Sequence, residues 1–198
     1  LCLFCYVRKK GKGDIYMSNT DGPRGLFVVG HLNGGNGQVR NFNVDGGTAT
    51  AIYPGDPAKE ATDGSAEVMT AQSDAYIGPI TAIYNSDGKP VKSLAASAAG
   101  SVDVDIDPGA IIEIQTEDGG TALTAAAIGD AADFIWTHAG AGSRSGVELS
   151  ETLAGAGAAA QMRIIGLANV VDNVWGEHYA RVHVIALEHA FNSTPNAI

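Results

Sequence analysis

The residues best suited to chemistry fall into a few groups: Cys2 and Cys5, the aspartates Asp103, Asp105 and Asp107, five histidines, and the glycine–serine stretch of residues 140–146. A Cys-x-x-Cys pair does redox work at a helix N-terminus that follows a strand, where the local field lowers the thiol pKa. Cys2 and Cys5 lie instead in the apolar run of residues 1–7, and a zinc site would need two more ligands from elsewhere. Residues 6–198 contain no cysteine, which excludes a disulfide-stapled body. Asp103, Asp105 and Asp107 share one face if their segment is a strand, and three carboxylates there would suit calcium or a basic partner. The glycine and bidentate glutamate of a calcium loop are missing, so the expectation is the solvent face of an amphipathic strand. If anything binds there, a partner's Lys or Arg fits better than a metal.

The histidines are His31, His138, His178, His183 and His189. The spacings of the last three match no short metal motif and alternate faces on a strand, which predicts packing or surface roles. The stretch 140–146 has neither a P-loop lysine nor the third glycine of a dinucleotide fingerprint and reads as a loop. No Gly-x-Ser-x-Gly elbow occurs, and Asn192-Ser193-Thr194 reads as a chance sequon. The expectation is a protein with no catalytic residues, cofactor or metal.

The elements that would carry these residues are short strands. Residues 27–32 form an apolar run ending in the turn cluster 33–37. Residues 38–44 alternate, with Arg40, Phe42 and Val44 on one face. Further strands are expected at 48–53, 67–70, 76–84, 91–94, 102–106, 110–115, 161–167 and 180–187, with a hairpin turn at 85–88. One short helix is expected from Leu123, interrupted at Gly129. The pattern predicts a mainly β chain: a single barrel- or sandwich-like domain over residues 27–198, with at most one or two short helices and an extended N-terminal arm over residues 1–26. In 180–187, Val182, Val184 and Ala186 share one face, and Arg181, His183, Ile185 and Leu187 the other. Neither face is clearly polar, which predicts burial on both sides, one of them by a neighbouring subunit. Val182, Val184 and Ile185 are therefore candidate contact residues.

Net charge is −10, from 12 basic and 22 acidic residues. Four of the bases, Arg8, Lys9, Lys10 and Lys12, stand in the first 16 residues against Asp14, leaving −13 on the rest. An acidic body repels phosphate backbones, so nucleic acid is not an expected partner. The run 1–7 is too short to span a bilayer, and no membrane partner is expected. Met17 begins a more conventional opening, and Gly13-Asp14 can be written in codons like a ribosome-binding site. Residues 1–16 are accordingly read as a translated leader, which intact mass would test. As native protein, they would form an arm whose Arg8, Lys9, Lys10 and Lys12, with Arg24, contact a neighbouring subunit or shell.

From Met17 on, the chain carries an ordered series of motifs. They are Ser18-Asn19-Thr20-Asp21-Gly22-Pro23-Arg24-Gly25-Leu26, Gly30-His31-Leu32, and Thr50-Ala51-Ile52-Tyr53-Pro54-Gly55-Asp56-Pro57. Tyr76-Ile77-Gly78, Ile112-Glu113-Ile114-Gln115, Ala127-Ile128-Gly129, Met162-Arg163-Ile164-Ile165-Gly166-Leu167, Asp172-Asn173 and residues 182–189 follow. In this order they resemble the head decoration, or cement, proteins encoded beside the major capsid protein in tailed-bacteriophage genomes. The first 16 residues depart from the pattern. The resemblance implies a structural virion protein made in the bacterial cytoplasm and bound to the capsid exterior. Its expected partners are the major capsid protein and itself, as a homotrimer near three-fold positions. The rivals are a neck, tail or fibre-associated virion protein and a host-adhesion module binding glycans through Trp136, Trp175 and Tyr179. An enzyme using Asp103, Asp105 and His183 is a weaker rival, since nothing in the sequence brings those residues together.

Overall fold

Alternating runs of β-branched and polar residues, cut by glycine and aspartate turns, favour pleated strands over helices. The computed structural model describes residues 19–136, 144–154 and 160–191. Within them the chain is mainly β, in antiparallel sheets. The strands in chain order are β1 (Phe27–His31), β2 (Val39–Val44), β3 (Pro57–Glu60), β4 (Ala66–Val68), β5 (Tyr76–Asn85), β6 (Gly100–Asp105), β7 (Ala110–Gln115), β8 (Ala131–Ala132), β9 (Phe134–Trp136), β10 (Val147–Leu149), β11 (Met162–Leu167) and β12 (Arg181–Ala186). One sheet runs β1-β7-β12-β11-β8, a second runs β2-β6-β5-β3-β4, and β9 pairs with β10.

Two apolar clusters hold these sheets. Ile112 and Ile114 of β7, Met162 and Ile164 of β11, and Val182 and Val184 of β12 turn inward from the first sheet. They meet Phe134, Val147 and Leu149 of the β9–β10 pair and Tyr76 of the second sheet. Phe42, Val44, Ile77, Ile80, Val102 and Val104 fill the second cluster, within the second sheet. The two sheets also meet through a polar contact: His31 Nε2 lies 3.0 Å from Asp105 Oδ2, both largely buried. Gly78 takes φ +143°, and a Cβ there would stand 1.9 Å from the Asp105 carbonyl oxygen. Only glycine lets β5 and β6 come this close.

The hairpin turn forms as expected, with Gly88 N–H donating to the Asn85 carbonyl at 2.9 Å. Residues 48–53 and 91–94 do not become strands. They meet only through the reciprocal Ile52–Leu94 bridge, because the following turn through Pro54 and Gly55 draws the first segment away. Strands β3, β8, β9 and β10 fall outside the expected segments. They are short, and their residues lack a run long enough to show a period. The expected helix shrinks to a 3-10 turn at Ala125–Ala127, capped by Thr124. Gly129, at φ +97°, sends the chain back to β11, where its N–H reaches the Ile164 carbonyl.

The aspartate row also changes. Asp105 is only 4% exposed, because β6 ends there beneath His31. Asp103 stays outside, accepting from Asn41 and Tyr84, and Asp107 accepts from the Gly109 amide in a turn. Residues 19–26 are not a free arm. Asn19 and Leu26 are buried, Gly22 N–H donates to Gln115 Oε1, and Arg24 pairs with Glu113. Residues 19–26, the described part of the expected arm, thus pack along the body of their own chain. Arg8, Lys9, Lys10 and Lys12, the cysteine pair, His138 and the sequon lie outside the described residues, as does 140–143 of the glycine–serine stretch.

Candidate functional site

Strand alternation gives the first sheet an outer face. Val182 and Val184 are fully buried in the first cluster, so they are core residues and not contact residues. Their neighbours Arg181, His183 and Ile185 point the other way and are half-buried. The register sets Arg163 opposite Ile185, Glu113 opposite His183 and Phe27 opposite Glu113, which makes one continuous surface. Phe27 is 55% exposed and Val29 43% exposed on its edge strand. The Arg24 guanidinium lies 5.5 Å from the Phe27 ring centroid, and Arg24 and Arg144 line a cavity of about 360 Å³ with Phe27 and Ile80. Four of the eight basic residues after Met17, Arg24, Arg144, Arg163 and Arg181, thus lie on or beside this face. Among the described residues Arg163 and Arg181 form no ion pair, and Arg163 Nε is buried without a hydrogen bond. The face is a partly apolar surface on which Glu113 pairs with Arg24, while Arg163 and Arg181 have no ion-pair partner among the described residues.

A second grouping gathers carboxylates near the end of β7. Glu148 sits on β10, whose neighbours Val147 and Leu149 point into the core, so its own side chain turns outward. It is 8% exposed, and its Oε1 is buried with no hydrogen-bond partner among the described residues. Burial, then the negative charges of Asp21, Glu117, Asp118 and Glu151, push its carboxyl up to about 7. Glu151 accepts from Thr116 Oγ1 at 3.2 Å and lies 2.7 Å from His178 Nδ1; Glu117 accepts from Ser150 at 3.0 Å. Tyr179 donates to Asp118 at 2.7 Å, and this bond leads in raising the phenol to about 12. Neither lysine nor arginine pairs with any of the five acids among the described residues.

The catalytic candidates disperse. His178 is in the acidic group, His183 is on the outer face, and His189 is buried against Tyr76, with ring centroids 5.5 Å apart. His183 and Asp105 stand in different sheets. Trp136 and Trp175 are partly buried and pack against the first cluster, while Tyr179 donates to Asp118. Among the described residues no group of three or more His, Cys, Asp and Glu is placed to hold a metal ion. The sequence reading missed the acidic group, whose members come from positions 21, 117–118, 148 and 151 and share no motif. Arg163 and Arg181 are not among the contact residues expected from the sequence, although both alternate with core residues in segments expected as strands. No family model, curated protein or solved structure matches the chain.

Proposed function

We propose that the chain is a decoration protein of a tailed-bacteriophage head, bound to the outer capsid surface as a homotrimer and joining neighbouring capsomers. The single observation that carries this reading is the outer face of the first sheet, where Phe27, Val29 and Ile185 stand with Arg163 and Arg181 on a rigid β scaffold. A partly apolar, arginine-bearing face suits a protein interface, since arginine and aromatic residues are enriched there. The ordered motifs from Met17 onward support the same reading. One modest contact per subunit, repeated over a lattice, adds up through multivalency.

The test is binding to capsids. Purified protein is mixed with undecorated heads, and the particles are imaged by electron microscopy and weighed. Saturable density on the outer lattice in hundreds of copies is expected. About a dozen copies at one vertex would make it a neck or tail component, by the symmetry of those sites. No binding to any head lattice would overturn the proposal.

A further inference from the structure

We propose that a second copy of this chain is the partner of the carboxylate group at Glu148, and that it docks through its Arg163–Arg181 face. The inference deepens the decoration reading by naming the contact between subunits, and it rests on that reading only for the number of chains. Two independent features point to an absent cation. Asp21, Glu117, Asp118, Glu148 and Glu151 are gathered, and among the described residues His178 is the one base in hydrogen-bonding contact with them. Within that group Glu148 Oε1 is buried and unpartnered, an arrangement that costs free energy unless a donor arrives. Geometry disfavours a small metal ion, since the described carboxylates form no chelating set. A guanidinium fits better, because it spreads charge and donates in a fork to separate carboxylates.

The same chain carries the complementary group. Among the described residues Arg163 and Arg181 form no ion pair and Arg163 Nε is buried without an acceptor, and Ile185 lies beside Arg163 across the β11–β12 ladder. Arg181 and Tyr179 line one cleft, so the two groups approach each other along one edge of the molecule. Among the described residues, neither group pairs with an opposite charge of lysine, arginine, aspartate or glutamate in its own chain, and each offers in a second copy what the other needs. Apolar contact over Ile185 and Phe27 supplies area, and the charges set orientation and suppress wrong pairings.

Charge exchange on the full chain tests this. One variant carries Asp21→Lys and Asp118→Lys, a second carries Arg163→Glu and Arg181→Glu, and a third carries all four. Native mass spectrometry and sedimentation read the assembly state, with circular dichroism to confirm folding. The expected result is self-association in the wild type, weakened on the order of tenfold or more in each two-site variant and restored in the four-site variant. In the wild type itself, raising salt from about 0.1 M to about 1 M shortens the screening length from about 10 Å to about 3 Å and should weaken assembly. This arm needs no variant to fold. A monomeric wild type, salt-independent assembly, or folded two-site variants that assemble normally would overturn the contact. Two chains instead of three would keep the contact and remove the three-fold element of the decoration reading, while loss of capsid binding alone would leave the contact standing.

Discussion

Replacing Glu148 by Gln should stabilise the isolated chain, and only above the acid range. In the folded protein the Glu148 carboxyl is raised from 4.5 to about 7, first by burial and then by Asp21, Glu117, Asp118 and Glu151. An acid raised in the folded state holds its proton better there than in the unfolded chain. The folded state is therefore not penalised below about pH 4.5, loses stability between about 4.5 and 7, and carries the full penalty above that. At about 1.4 kcal/mol per tenfold, the penalty is at most about 3.5 kcal/mol. Gln keeps the shape and cannot ionise. At pH 8 it should raise stability by up to this amount, or at most about 7–14 °C in Tm for a domain of this size. At pH 4.5 the two proteins should melt together. Urea and thermal unfolding at both pH values, at a concentration where the chain is monomeric, make the comparison. His178 also contacts the group through Glu151, so the same pair of curves is recorded on a His178→Gln background to separate the contribution of that contact. Equal differences at pH 4.5 and 8, or a Gln variant less stable at pH 8, would refute the reasoning.

Gly78→Ala should destabilise by several kcal/mol, since the new methyl would lie 1.9 Å from a backbone oxygen and neither strand can yield without breaking the ladder; urea unfolding would show a much lower midpoint, and a near-normal one would mean that β5 and β6 can separate. Asn19→Ala should cost about 1–3 kcal/mol, because the side chain donates to the Val174 and Glu177 carbonyls and accepts from the Val174 amide. Faster hydrogen exchange at the Val174 amide is the local readout, and unchanged protection would show that residues 19–26 hold to the body by other contacts.

Strands with an alternating pattern of adequate length were legible in the sequence. Residues 38–44 place Phe42 and Val44 inward as their period requires, and the apolar runs of β5, β7, β11 and β12 appear where expected. In β12 the pattern was ambiguous because both faces carry apolar residues. Only the packing of Val182 and Val184 against the first cluster decided which side is core, leaving Ile185, Arg181 and His183 outside. The aspartate row shows the opposite failure. Its alternation is real, yet Asp105 is buried because a histidine 74 residues earlier in the chain closes over it.

Local pattern by itself determined that this chain makes short strands, that its turns fall at glycine and aspartate clusters, and that its charge is strongly negative after an initial basic run. Those properties depend on neighbours a few residues apart or on a plain count. The pairing order of the sheets, the division into two apolar clusters and the attachment of residues 19–26 to the body came only from tertiary structure. So did the gathering of Glu148 with acids from positions 21, 117–118 and 151. Each of these rests on contacts between residues far apart in the chain. Their energy comes from burial and from charge at a distance, and neither leaves a period or a spacing in the sequence.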